Sequence, residues 1–175
     1  MADPDVSDPI PFAAMNVQPK PLVLPPDRRQ SPVAAGIQRG VRRLFAQFGH
    51  VTIPELSLAN GRRADVMALC PKGFLTIVEI KSCIADFRAD QKWPDYEDFC
   101  DRFYFAVPDT LPQEILPEDR GLIVADAFGA AILRESCHRP LSGARRKAGT
   151  LRFARAAASL LHGLADPEAL RASPF

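Results

Sequence analysis

Asp65, Glu79 and Lys81 are the residues of this chain whose types and spacing most directly suggest chemistry. They lie in the run RRADVMALCPKGFLTIVEIK, from Arg62 to Lys81, where Val66 to Cys70 and Phe74 to Ile80 are apolar and rich in strand formers. Pro71-Lys72-Gly73 between them is a turn signal, with Pro presetting φ and Gly permitting a positive one. A turn centred on Lys72 predicts an antiparallel hairpin with Phe74 opposite Cys70, Leu75 opposite Leu69, Ile77 opposite Met67 and Glu79 opposite Asp65. Directly opposed Cβ atoms lie about 4.5–5.5 Å apart, so two carboxylates there repel each other unless a cation lies between them. Lys81 follows Glu79 by two residues, and the strand period returns it to the same face. Two acids and an amine gathered in this way suit a divalent-cation site. The plainer alternative is a structural ion pair at a strand end, because buried charges need partners whatever their role.

The elements that must position these residues are legible on either side. Val33, Ile37, Val41, Leu44 and Phe48 fall on one face of a helix, with Arg39, Arg42 and Arg43 on the other. Ser31-Pro32 supplies its cap and first turn, and Gly49 ends it. Val51 to Leu58 reads as a first strand that Pro54 marks as an edge or a bulge, and Asn60-Gly61 is a hairpin signal into the second strand. Beyond Lys81, Asp86 and Asp95 are natural caps for two helical pieces divided by Pro94, with Phe87, Trp93, Tyr96 and Phe99 packing on the sheet. Arg102 to Val107 is a fourth strand, parallel to the third because a crossover helix lies between them. Short strands follow at Gly121 to Ala125 and Ala130 to Leu133, around Phe128-Gly129. A last helix runs through Leu151 to Leu164, with Phe153, Ala157, Leu160, Leu161 and Leu164 on one side. It starts either at Thr150 or at Ser142; the second choice puts Arg145, Arg146 and Lys147 near a helix N-terminus, against the dipole.

At 175 residues the chain is long enough for one core. Residues 1–31 hold seven prolines and no periodicity, which predicts a disordered or extended tail; the folded domain is then 32–165, with a short C-terminal tail at 166–175. The start of the chain is acidic and unlike a secretion signal, and no apolar run approaches the roughly 18 residues of a membrane span. The four cysteines form no C-x-x-C pair and read as buried reduced thiols. None of the three histidines has metal-ligand spacing. A net charge of +1 excludes a globally basic nucleic-acid binder. Arg39, Arg42, Arg43, Arg62, Arg63, Arg145, Arg146 and Lys147 nevertheless cluster locally and are the candidate contacts to phosphates. No Gly-rich phosphate loop, nucleophile-His arrangement or sequence-reading motif such as a helix-turn-helix stands out.

Asp65 followed by Glu79-Ile80-Lys81 after a hairpin of this length resembles the signature of the PD-(D/E)xK nucleases. The continuation ADFRADQKWPDYEDFCDRFYFAVP is similar, more specifically, to the MmcB-like family of bacterial DNA-repair proteins within that superfamily. The likeness runs from about Val33 to Leu164, and Ala64 stands where the motif often has proline. It implies an α/β fold with a restriction-endonuclease-like core: helix, three-stranded antiparallel meander, helix and parallel strand, in a mixed sheet flanked by helices. It also implies a metal-dependent deoxyribonuclease acting in DNA repair. In that reading Asp65, Glu79 and the backbone carbonyl of Ile80 hold Mg²⁺ or Mn²⁺, and Lys81 orients the attacking water. Superfamily members often add an acid from the first helix. None occurs between Val33 and Gly49, so Glu55 stands as the substitute. Gln91 or Lys92 would be the polar accessory from the crossover helix. DNA and other DNA-repair proteins are the implied partners, in a cytoplasmic bacterial protein that joins the nucleoid when bound to DNA. The competing reading, supported by the missing acid, is a non-cleaving DNA-binding or assembly module on the same scaffold.

Overall fold

The structure is a computed structural model and describes residues 31–89 and 92–166. Ser31 and Asp166 cap the first and last helices; the rest of both expected tails lies outside the described residues, as does Gln91. Six strands form one sheet in sequence order: β1 (Val51–Ser57), β2 (Arg63–Leu69), β3 (Leu75–Ile80), β4 (Arg102–Val107), β5 (Gly121–Ala125) and β6 (Ala130–Arg134). β1, β2 and β3 are an antiparallel meander, β4 and β5 run parallel to β3, and β6 returns antiparallel. With α1 (Pro32–Gln47) before the meander and α2 (Ile84–Ala89) before β4, the expected core order is present.

The β2–β3 register is the one the turn residues dictate: Leu69 pairs with Leu75, Met67 with Ile77 and Val66 with Val78. Gly73 closes the turn at φ 82°, a value that glycine adopts without a Cβ clash. All six residues of β3 are buried, as expected of a central strand covered on both faces. Ile37, Val41, Leu44 and Phe45 of α1 cover one face, against Val66, Val78 and Ile123. Phe45 replaces the expected Phe48, which follows the last helical turn and is 54% exposed. Gly40 lets α1 lie directly on the β5–β6 turn, because a Cβ there would overlap the carbonyl oxygens of Asp126 and Gly129.

The other face is covered by a 3₁₀ helix (Trp93–Phe99) and by α3 (Gly143–Ala165). Pro94 sits in the first turn of the 3₁₀ helix, where its missing N–H is no loss. The expected caps differ: Asp86 and Asp95 lie inside the first turns, and Asp86 accepts from the hydroxyl of Ser82. α3 starts at Ser142, the earlier of the two alternatives. Phe153 is its one buried residue, while Leu160 and Leu161 are exposed.

The arginines at that N-terminus have structural partners. Arg145 pairs with Asp98 at 2.7 Å, and Arg146 makes two 2.7 Å bonds to the carboxylate of Asp101. Asp101 is wholly buried and also accepts from the amides of Leu75 (2.8 Å) and Leu141 (2.9 Å). Burial pushes the Asp101 carboxyl up, but Arg146 and the two amides outweigh it and hold it below the usual carboxylate range. One side chain thereby ties β3, β4 and α3 together. All four cysteines are reduced, yet only Cys100 is buried; Cys70 is half-buried, and Cys83 and Cys137 are exposed.

Arg146→Met should cost about 3 kcal/mol at neutral pH, because it strands a buried carboxylate. A carboxyl held low in the fold adds stability that is present above its unfolded pKa and lost as pH falls through its folded value. The penalty should therefore shrink in acid, which urea titrations of both proteins across pH would measure. Burial raises the Cys100 thiol to about 12, so a thiol reagent at pH 8 should label Cys83 and Cys137 in the native protein and reach Cys100 only after unfolding.

Candidate active site

Because β3, β4 and β5 are parallel, their carboxyl ends share one edge of the sheet, and the candidate residues lie at that edge. The ladder carries Asp65 to a position beside Glu79, where the two clasp each other through the backbone. Asp65 Oδ2 accepts from the Ile80 amide at 2.7 Å, and Glu79 Oε1 accepts from the Asp65 amide at 3.4 Å. Lys81 Nζ stands 3.9 Å from Glu79 Oε2. Glu79 and Lys81 are 3% and 5% exposed, so their charges act where water screens little.

β1 extends the row. Pro54 pairs with Val66 and Leu56 with Ala64, which leaves Glu55 facing Asp65. Glu55 has φ 55°, the one non-glycine residue with positive φ among the described residues, a conformation that side chains other than Asn and Asp seldom adopt. Ile53 and Leu56 consequently share one core although they are three residues apart, and so do Ala64 and Met67 across from them. The alternation slips a step in both strands where the acids stand. The Glu55 carboxylate lies 2.5 Å from Arg63 Nε and 3.5 Å from Gln38 Nε2, and the same Gln38 amide reaches the Asp65 carbonyl at 3.5 Å. Gln38 thus brings α1 to the site with a neutral group. Sequence reasoning looked only for an acid there and missed it, although its position one residue after the buried Ile37 was a usable signal.

Among the described residues no group of three or more His, Cys, Asp and Glu side chains is arranged to hold a metal ion. The site is a pair of acids, Asp65 and Glu79, beside the Ile80 peptide. That set fits Mg²⁺ or Mn²⁺, which favour hard oxygen donors; Mg²⁺ commonly takes one or two carboxylates and keeps water and substrate phosphate for its other positions. Lys92 is exposed at the start of the 3₁₀ helix.

The basic candidates are dispersed. Arg42 bonds Thr52 Oγ1, Arg43 bonds the Ala127 and Phe128 carbonyls, Arg62 pairs with Asp95 and Arg63 with Glu55. Arg146 also reaches the Gly73 carbonyl, which puts Arg145, Arg146 and Lys147 at the far end of the sheet from Asp65 and Glu79. Arg39 and Lys147 are exposed and form no hydrogen bond or ion pair among the described residues. Arg152 and Arg155 instead line a groove of about 990 Å³ between β1 and α3 that has Glu55 in its wall.

The family model of DNA repair protein MmcB-like matches residues 21–168. The chain belongs to the MmcB-like DNA repair family. This places it in DNA repair, and the match begins upstream of the resemblance read from Val33 onward. A protein of unknown function from Silicibacter pomeroyi has a similar solved structure, at 42% identity and TM-score 0.77, covering 79% of this chain and 95% of that one. A repair endonuclease from Pyrococcus abyssi is a distant likeness, at 18% identity and TM-score 0.38, covering 59% of this chain and 50% of that one. No curated protein matches. Among the described residues no helix is long and apolar enough to cross a membrane.

Placing two carboxylates together works against stability unless something positive joins them. Glu79→Gln keeps an oxygen for the Asp65 amide and removes one of the like charges, so without divalent cations its melting temperature should equal or exceed that of the wild type. A loss of several kcal/mol would instead mark Glu79 as half of a structural ion pair.

Proposed function

We propose that this MmcB-like protein is a divalent-metal-dependent nuclease that hydrolyses phosphodiester bonds in DNA during repair. The observation that carries the reading is the row of half-buried Asp65 and buried Glu79 and Lys81 at the carboxyl ends of the parallel strands, the edge at which open α/β sheets bind ligands. A purely structural cluster would not need two acids side by side.

Asp65, Glu79 and the Ile80 carbonyl would hold Mg²⁺ or Mn²⁺, which when bound polarises a phosphate oxygen and lowers the pKa of a water. The protein's own part is positional. The exchange of backbone bonds between Asp65 and Glu79 fixes both carboxylates relative to β2 and β3, so neither must be ordered when substrate arrives. Lys81 places a compact ammonium next to Glu79, where it can orient the attacking water and offset charge gathering on the phosphoryl oxygens. Gln38 and Arg63 engage Glu55 and steady the neighbouring strand, so Glu55 would act on Asp65 through the backbone or join as a further ligand once Arg63 moves. Affinity would come from phosphate contacts, led by Arg39 and by Arg152 and Arg155 in the groove, and would fall steeply with salt.

One observation favours a second reading, a DNA-binding or assembly module without cleavage: α1 offers Gln38 where an acid would complete a three-carboxylate site. The two readings separate in one pair of experiments. Wild type with Mn²⁺ should cut at least one of single-stranded, duplex, flapped and crosslinked DNA, and Glu79→Gln should lose that cutting by at least about a hundredfold, as removal of a key electrostatic group does. Calorimetric titration with Mn²⁺ should show binding that Asp65→Ala abolishes. Equal cutting by wild type and Glu79→Gln would reject the assignment, and Mn²⁺ binding indifferent to Asp65 would favour the module.

A further inference from the structure

We infer that Phe128, at the tip of the β5–β6 turn, is a stacking contact for an unpaired DNA base next to the candidate active site. The inference rests on the reading of that sheet edge as a DNA site, and it names the class of DNA the site would take.

Phe128 is 83% exposed, more than any other large apolar side chain among the described residues. A loose loop could explain such exposure, but this turn is fixed. Asp126 Oδ1 accepts from the amides of Phe128 (2.7 Å) and Gly129 (2.8 Å), and the Asp126 amide donates to the Gly129 carbonyl at 3.0 Å. From α1, Arg43 Nη1 donates to the carbonyls of Ala127 (3.0 Å) and Phe128 (2.9 Å). Gly40 of the same helix lies against the backbone of Asp126 and Gly129. The ring is thus held out into water on a braced frame. Apolar area left exposed on such a frame forgoes the stabilisation of burial, and it commonly marks a binding contact.

Its location says what it meets. β3 and β5 run parallel with β4 between them, so the turn that follows β5 lies at the same edge as Glu79 and Lys81. Two strand spacings separate β3 from β5, about 10 Å. Successive phosphates of one strand are about 3.4 Å apart along a duplex axis and farther apart in an unpaired strand, so a strand lying on the site can have a base one to a few nucleotides away at Phe128. Positive charge accompanies the ring. Arg43 is exposed, and its Nε and Nη2 make no hydrogen bond among the described residues, while Arg39, one turn earlier on α1, is exposed as well. The only acid of the turn, Asp126, is engaged by the turn amides. An aromatic face beside guanidinium groups is the composition of platforms for single-stranded nucleic acid. Bases inside a duplex already have both faces stacked, so the ring can be used only by DNA with an unpaired stretch or a splayed end.

The test measures binding, which does not depend on cleavage. Full-length protein carrying Glu79→Gln, with and without Phe128→Ala or Phe128→Trp, is titrated into fluorescein-labelled single-stranded, forked and fully paired DNA at fixed salt, and anisotropy is read. Phe128→Ala should weaken single-stranded and forked DNA by roughly tenfold, the scale of one lost base–aromatic stack, and leave duplex within about twofold. Phe128→Trp should restore binding, and its added indole emission should be quenched by single-stranded DNA when the Phe128 parent protein serves as background. Unchanged affinities in Phe128→Ala, or an equal loss on all three DNAs, overturn the stacking contact even if the protein cuts DNA. Binding to DNA that depends on Phe128 while wild type cuts nothing sinks the nuclease reading alone. No DNA binding by the parent protein overturns the contact and leaves Phe128 as an anchor for a protein partner. Thermal melts should show all three proteins equally folded, because the side chain lies outside the core.

Discussion

Two negative charges brought together at the end of a buried sheet are the constraint around which this molecule is arranged. Half-buried Asp65 and buried Glu79 could not be neighbours without donors for their oxygens. The backbone supplies them reciprocally, the Ile80 amide to Asp65 and the Asp65 amide to Glu79, and Lys81 adds the opposite charge. That clasp works only in one register of β2 on β3, and the register is fixed by the Pro71-Lys72-Gly73 turn and by the apolar residues that must face the two cores. A slip of one residue would move every side chain of the strand from one core to the other.

The opposite end of the sheet is built from the same chemistry to a different purpose. There Asp101 is also a buried acid, but each of its oxygens is met by donors within 3 Å, from Arg146 and from the amides of Leu75 and Leu141. Nothing about it is left to a ligand, and it joins β3, β4 and α3. The two ends differ in geometry: a bidentate guanidinium with short bonds at one, and at the other two neighbouring carboxylates with an ammonium 3.9 Å from one of them, Glu79.

Much of the fold was legible because it depends on short-range signals. The Asn60-Gly61 and Pro71-Lys72-Gly73 turns, the full burial of β3 and the crossover before β4 follow from patterns local in the chain. What remained hidden depends on contacts distant in the chain. Arg146 reads as a phosphate contact until Asp101, 45 positions away, is seen to hold it. Arg62 and Arg63 look like a basic pair and are divided between Asp95 and Glu55. Cys83 is followed by Ile84-Ala85 in the sequence and is nevertheless exposed. At the site, the pairing of Asp65 with Glu79 followed from strand period, but the entry of Gln38 did not, since it requires knowing how α1 crosses the sheet.

β1 is the outer strand on the meander side, and its middle is Pro54 followed by Glu55 in the left-handed region. Pro54 offers no amide to a newcomer, and Glu55 turns the backbone out of the extended ribbon. The distortion that lines up the acids therefore also spoils this border as a template for strand addition. A protein with an otherwise well-ordered sheet gains protection from edge-to-edge aggregation at the point where Glu55 comes to face Asp65.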